Sequence, residues 1–82
     1  MSDPDLQREI HDLDVTVRVG KGGIASVADE LRDQLDGRDL VKVKFLRSAR
    51  GESETEELAA DLGERADAEL LQTRGHTAVY RR

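Results

Sequence analysis

The chain has 82 residues, eighteen acidic against thirteen basic, a net charge of −5, a mean hydropathy of −0.64 and no cysteine. That length predicts a single domain near the lower limit for independent folding, and the missing cysteine excludes disulfides and thiolate metal sites. No apolar run approaches membrane-spanning length, the opening MSDPDLQREIHDLD lacks the basic and apolar regions of a secretion signal, and His11 and His76 lie too far apart in sequence to suggest a metal site, so a cytoplasmic protein without metal or cofactor is expected.

Residues 4–11 carry Leu6 and Ile10 at i, i+4 spacing and predict a short helix that frays within residues 1–12. Val15, Val17 and Val19 alternate with Thr16 and Arg18, the period of a half-buried strand, and the glycines after Val19 end it. From Ile24 the apolar residues Val27, Ala28, Leu31 and Leu35 form an amphipathic helical stripe, stopped by Asp36-Gly37. Residues 40–46 predict a second strand, with Val41, Val43 and Phe45 on one face and Lys42 and Lys44 on the other. Strand, helix and strand in about thirty residues make a βαβ unit with parallel strands.

Residues 47–52, RSARGE, are expected to be a mobile loop. Ser53 to Glu56 fits a capping box opening a helix that buries Leu58, Ala59 and Leu62, with Gly63 fraying its end. Residues 68–73 and 77–81 predict two strands joined by a hairpin turn at Arg74, Gly75 and His76. The order is (α)βαβαββ: an α/β domain with a four-stranded mixed sheet and packed helices.

Gly20-Lys21-Gly22-Gly23 is the segment that invites a ligand. Glycine serves many tight turns for conformational reasons alone. Three glycines and a lysine between a strand and a helix instead favour an anion, because bare N–H groups and the helix dipole face it. Gly20-x-Gly22-x-x-Ala25 matches a dinucleotide fingerprint formally. The second strand, however, ends in Phe45-Leu46-Arg47, with no acid to hold a ribose, so nucleotide binding is a minor alternative. The same residues read as G-x-x-G, the loop with which KH-type domains clamp a nucleic-acid backbone, with Lys21 at its tip.

The local charges agree with that reading. Acids concentrate in residues 3–14, 29–39 and 52–69, while Arg18, Lys42 and Lys44 share outward strand faces beside the glycines. Arg47, Arg50, Arg74, His76 and Arg81 lie in the neighbouring segments, and these residues with Gly20, Lys21, Gly22 and Gly23 form the candidate RNA-binding set. Ten arginines against three lysines, with few aromatics, also fit a halophile-like composition. Phe45 falls on an apolar strand face, so an RRM-like stacking platform is disfavoured. No catalytic constellation is present: Ser26, Ser48 and Ser53 look like helix-surface, loop and cap residues. A second class of function is an acidic adaptor whose helices meet a basic protein.

VRVGKGGIASVADELRDQL, LVKVKFL and LAADLGERADAELLQTRGHTAVYRR together resemble the CRM domain (chloroplast RNA splicing and ribosome maturation) in its stand-alone, YhbY-like form. The resemblance rests on Gly20, Lys21, Gly23 and Ile24, on the basic strand from Leu40 to Lys44, and on Gly75, Thr77, Val79, Tyr80 and Arg81 at the close. It implies a fold resembling the C-terminal domain of translation initiation factor three, RNA held through the G-x-x-G loop, and association with precursors of the large ribosomal subunit; separately, a monomer is expected, with ribosomal proteins as the partners an adaptor would meet. The chain departs from the pattern in a shortened acidic first helix, in His76 where a basic residue is common, and in having no basic tail after Arg82.

Overall fold

The alternating valines form two neighbouring strands, one at the edge of the sheet and one inside it. In the computed structural model, which describes residues 4–51 and 54–82, β1 (Val15–Val19) lies parallel to β2 (Val41–Phe45). The hairpin of β3 (Glu69–Arg74) and β4 (Thr77–Arg81) adds to it through β4, which runs antiparallel to β2, giving the order β1-β2-β4-β3. Helices α1 (Pro4–Asp12), α2 (Ala28–Gly37), α3 (Arg47–Arg50) and α4 (Thr55–Ala66) complete the α/β domain. Among the described residues no helix is long and apolar enough to cross a membrane.

The two faces of the sheet are covered differently. Val17, Val19, Val43, Phe45, Ala78 and Tyr80 bury against α2 and α4 through Leu31, Leu35, Ala59 and Leu62. Each large apolar side chain withdrawn from water there contributes about 1.5–3 kcal/mol before entropy is counted. On the other face α1 sets Ile10 against Leu40 and Val79, with Leu6, Leu13 and Leu71 half-buried around them. That smaller cluster covers only part of its face.

Local structure departs from the sequence expectation in three places. The stripe starting at Ile24 begins as a 3-10 turn, Ile24–Ser26, and α2 proper starts only after Val27. Of the arginine-rich segment expected as a mobile loop, Arg47–Arg50 form the short helix α3, in which Ala49 and Arg50 donate backbone bonds to Leu46 and Ala49 packs against the core; Glu52 lies outside the described residues. Gly63 does not fray α4, because it is buried within the helix, where an added Cβ would stand 3.3 Å from the Tyr80 ring and 3.1 Å from the Ala68 carbonyl. Ser53 of the expected capping box lies outside the described residues, and Glu54 holds the cap position of α4.

Side-chain ties join the layers. At a bulge in β1, Thr16 donates to Oε1 of Gln34, and Gln34 returns a bond to the Thr16 carbonyl, fixing β1 to α2. Arg32 donates from α2 to the carbonyls of Arg65 and Ala66, which the end of α4 leaves without helical partners. Tyr80 donates to the Ala59 carbonyl at 2.6 Å. Burial pushes its phenol above the ordinary value.

Candidate nucleic-acid interface

The topology brings three segments to one end of the sheet. The residues following β1, the start of α3 after β2, and the β3–β4 hairpin all emerge there, because β1 and β2 run parallel and β4 runs against them. Backbone bonds hold the segments together: Leu46 donates to Val19, and Phe45 donates to His76.

Within the Gly20–Gly23 turn, Gly23 N–H donates to the Gly20 carbonyl at 2.9 Å. The three glycines have unequal reasons to be there. Gly23 has φ 77° and ψ −178°, a conformation open almost only to glycine. A Cβ on Gly22 would meet Ser26 Oγ at 2.8 Å, and that hydroxyl already donates to the Gly23 carbonyl. Gly20 has only ordinary contacts, 3.7 Å to Leu46 and 3.8 Å to Ser48, so the fold itself does not demand glycine there. Lys21 stands exposed at the tip.

Beside the turn, strand register aligns the charges. Arg18 pairs with Lys44, Lys44 with Thr77, and Thr77 with Arg74, so these four form one row across all four strands. Three strand spacings make the row about 14 Å wide. Its side chains project from the face opposite α2 and α4, since Val17, Val19, Val43 and Phe45 occupy the core face. Lys42 lies two residues nearer α1, half-buried in a cleft with Gln7, His11, Gln72 and Arg74.

Among the described residues Arg18, Lys21, Lys42, Lys44, Arg47 and Arg74 form no ion pair. Their charge is therefore available to a ligand. Two further candidates are partly committed: Arg50 is turned inward, its Nε donating to the Phe45 carbonyl at 3.2 Å, and His76 Nδ1 lies 3.3 Å from the Thr55 hydroxyl. Arg81 is not brought to this end. It lies at the far end of β4, paired with Glu69, whose carboxyl is held below the usual range by that hydrogen bond and charge.

Sequence reasoning missed Thr77 and Ser48 as neighbours of the cations. Thr77 was recoverable from hairpin register, which sets it opposite Arg74. Ser48 was not, because its approach to Gly20 depends on α3 folding back. The dinucleotide alternative loses its main support here, since the glycines lead into a 3-10 turn and not directly into the first turn of an α-helix.

The family model described as the CRS1 / YhbY (CRM) domain matches residues 4–82. "Probable RNA-binding protein MJ0652" of Methanocaldococcus jannaschii is 37% identical over 71 residues, 87% of this chain and 53% of that protein, so the chain spans about half the length of this curated relative. The solution structure of SAV1595 from Staphylococcus aureus, described as a candidate RNA-binding protein, matches with a TM-score of 0.73 at 33% identity, covering 95% of this chain and 80% of the other. The chain belongs to the CRS1/YhbY (CRM) domain family.

Proposed function

We propose that this protein binds RNA in the cytoplasm, at ribosomal RNA in precursors of the large ribosomal subunit, through the Gly20–Gly23 turn and the cations beside it, as a monomer and without a catalytic step. The observation that carries the reading is the set of exposed cations with no ion pair among the described residues, Arg18, Lys21, Lys44, Arg47 and Arg74, gathered at one end of an otherwise acidic chain. The names of the two relatives, both referring to RNA binding, support it. The family's likeness to the C-terminal domain of translation initiation factor three fits the element order and the position of the turn. A net charge of −5 does not oppose the reading, because docking is governed by the local field and not by the total.

The test is binding to large-subunit ribosomal RNA fragments across a salt series, wild type against Lys21→Glu. Binding that falls about tenfold or more in the variant supports the turn as the seat of the RNA. Equal binding by both proteins, or by neither while both are folded, removes it. A second reading has its own observation: Asp29, Glu30 and Asp33 on α2 and Glu57, Asp61 and Glu64 on α4 are all exposed, a surface suited to a basic ribosomal protein. Charge reversal on α4 would abolish that contact and spare RNA binding.

A further inference from the structure

We infer that the RNA taken by this interface is helical, a double-stranded stem gripped by its backbone, and not an extended strand read through its bases; the inference rests on the RNA-binding reading above. Three observations carry it.

The first concerns aromatic rings. The chain has one phenylalanine, one tyrosine and no tryptophan. Phe45 is 1% exposed and Tyr80 0%, both on the core face of the sheet. No large aromatic ring is therefore offered to a splayed base, whereas single strands are held chiefly by stacking on such rings, at about 1–3 kcal/mol per base.

The second concerns what flanks the glycine turn. A loop that clamps a single strand needs an apolar floor on which bases can lie. Here Ile24, Ala49 and Leu58 pack against the core, while Leu46, half-buried and 3.7 Å from where a Cβ on Gly20 would stand, gives the turn an apolar floor one side chain wide. The neighbours left at the surface are Arg18, Lys44, Arg47 and Ser48. The site suits phosphate and hydroxyl groups; for the face of a base it has guanidinium planes and the exposed His76 ring but no larger aromatic surface.

The third concerns rigidity and charge density. The row of Arg18, Lys44, Thr77 and Arg74 is anchored by strand register, so the backbone spacing from which its side chains reach is set before the ligand arrives. A flexible strand would lose conformational freedom on matching that row, with no larger aromatic surface to offset the loss by stacking; a stem already holds its phosphates in order. Counterion release favours the denser ligand as well, at about 0.9 per phosphate neutralised on a duplex against about 0.7 on a single strand. The exposed acids of α2 and α4 on the opposite side, and Glu9 and Asp12 of α1 on the row's own side, repel a backbone that would extend around the domain, which confines a stem to the row and the turn.

The experiment uses the full chain, a blunt RNA duplex of mixed sequence, and each of its strands alone, chosen to lack self-pairing. The expected result is affinity for the duplex about tenfold or more above that for either strand, nearly unchanged when the duplex sequence is scrambled. Lys44→Gln and Arg74→Gln should each weaken duplex binding and flatten its log-salt slope by about 0.9. Both side chains point to solvent, so the variants retain the fold, which circular dichroism checks. A strand that binds as tightly as the duplex overturns the inference and leaves RNA binding standing. A duplex preference indifferent to both glutamine variants also overturns it, because the row would not be its seat. Binding of none of these RNAs, nor of ribosomal RNA fragments, overturns both readings together.

Discussion

At the end of the sheet where β1 and β2 finish, Arg18, Lys21, Lys44, Arg47 and Arg74 stand without ion-pair partners among the described residues; at the other end Arg81 is bonded to Glu69 and Arg82 to Asp36. The residue types are similar and the exposure is comparable, yet the physical roles differ. Paired arginines on the surface have their field cancelled at short range and contribute little to stability. Unpaired ones in a row add their potentials. A count of basic residues says nothing of these roles, whereas the pairing separates them. Arg32 extends the pattern at the far end, where its guanidinium meets the last carbonyls of α4 and holds two helices together.

A charge-matched pair of double variants tests this contrast most severely. Lys44→Glu with Arg74→Glu should lower RNA affinity on the order of 100-fold, while Arg81→Glu with Arg82→Glu, which changes the net charge identically, should lower it less than about threefold. Filter binding at one fixed salt concentration decides it, and equal losses would mean that only the overall charge matters. The next effect complicates the division of labour. Gly23 sits at the ligand end, but its φ of 77° is a demand of the backbone, so Gly23→Ala should destabilise the fold by about 1–3 kcal/mol in thermal melts. Gly20→Ala, with no contact under 3.7 Å, should stay within about 0.5 kcal/mol of wild type.

The strands, α2, α4 and the hairpin were legible in the sequence because each has a periodic apolar face, as in Val15, Val17 and Val19 or Leu31 and Leu35. Helix α3 was not, since four residues, Arg47–Arg50, cannot display a period, and its fold depends on bonds back to Leu46. Gly63 was misread for a related reason: glycine in a helix suggests an ending, and only tertiary packing shows the Tyr80 ring lying against it. In the site, the sequence pointed to Arg18, Lys42 and Lys44 through strand alternation. It gave no means of knowing that Arg81 faces Glu69 or that Arg50 turns inward, because both depend on which segments meet at each end.

Tyr80 offers a test that should leave the ligand end untouched. Tyr80→Phe removes the buried bond to Ala59 and should cost about 0.5–1.5 kcal/mol without altering RNA affinity. The wild-type pH profile has a definite sign. The folded state keeps the phenol protonated above its ordinary value of about 10, so this contribution is fully present below pH 10 and is lost as pH rises through the folded-state value. Tyr80 is the only tyrosine and there is no tryptophan, so the appearance of tyrosinate absorbance reports this one group. Absorbance should lag behind free tyrosine and rise together with unfolding. Titration at the ordinary value in a folded chain would contradict the burial.

The smallest effect belongs to the far end and should raise stability. Helix α4 closes with Asp67 in the left-handed region, φ 54° and ψ 45°, its N–H bonded to Glu64 and the N–H of Ala68 bonded to the Gly63 carbonyl. That pair of bonds defines a Schellman cap, whose left-handed position strongly favours glycine. An aspartate there carries the steric cost of its Cβ, and it also sets a negative charge at the negative end of the helix dipole. Asp67→Gly relieves both and introduces extra freedom in the unfolded chain, which offsets part of the gain. A net stabilisation of about 0.5–1 kcal/mol is expected, a rise of a few degrees in melting temperature for a domain of this size. RNA affinity should not move, because the cap lies at the end where cations are already paired; a change in affinity would show that the two ends are energetically coupled through α4.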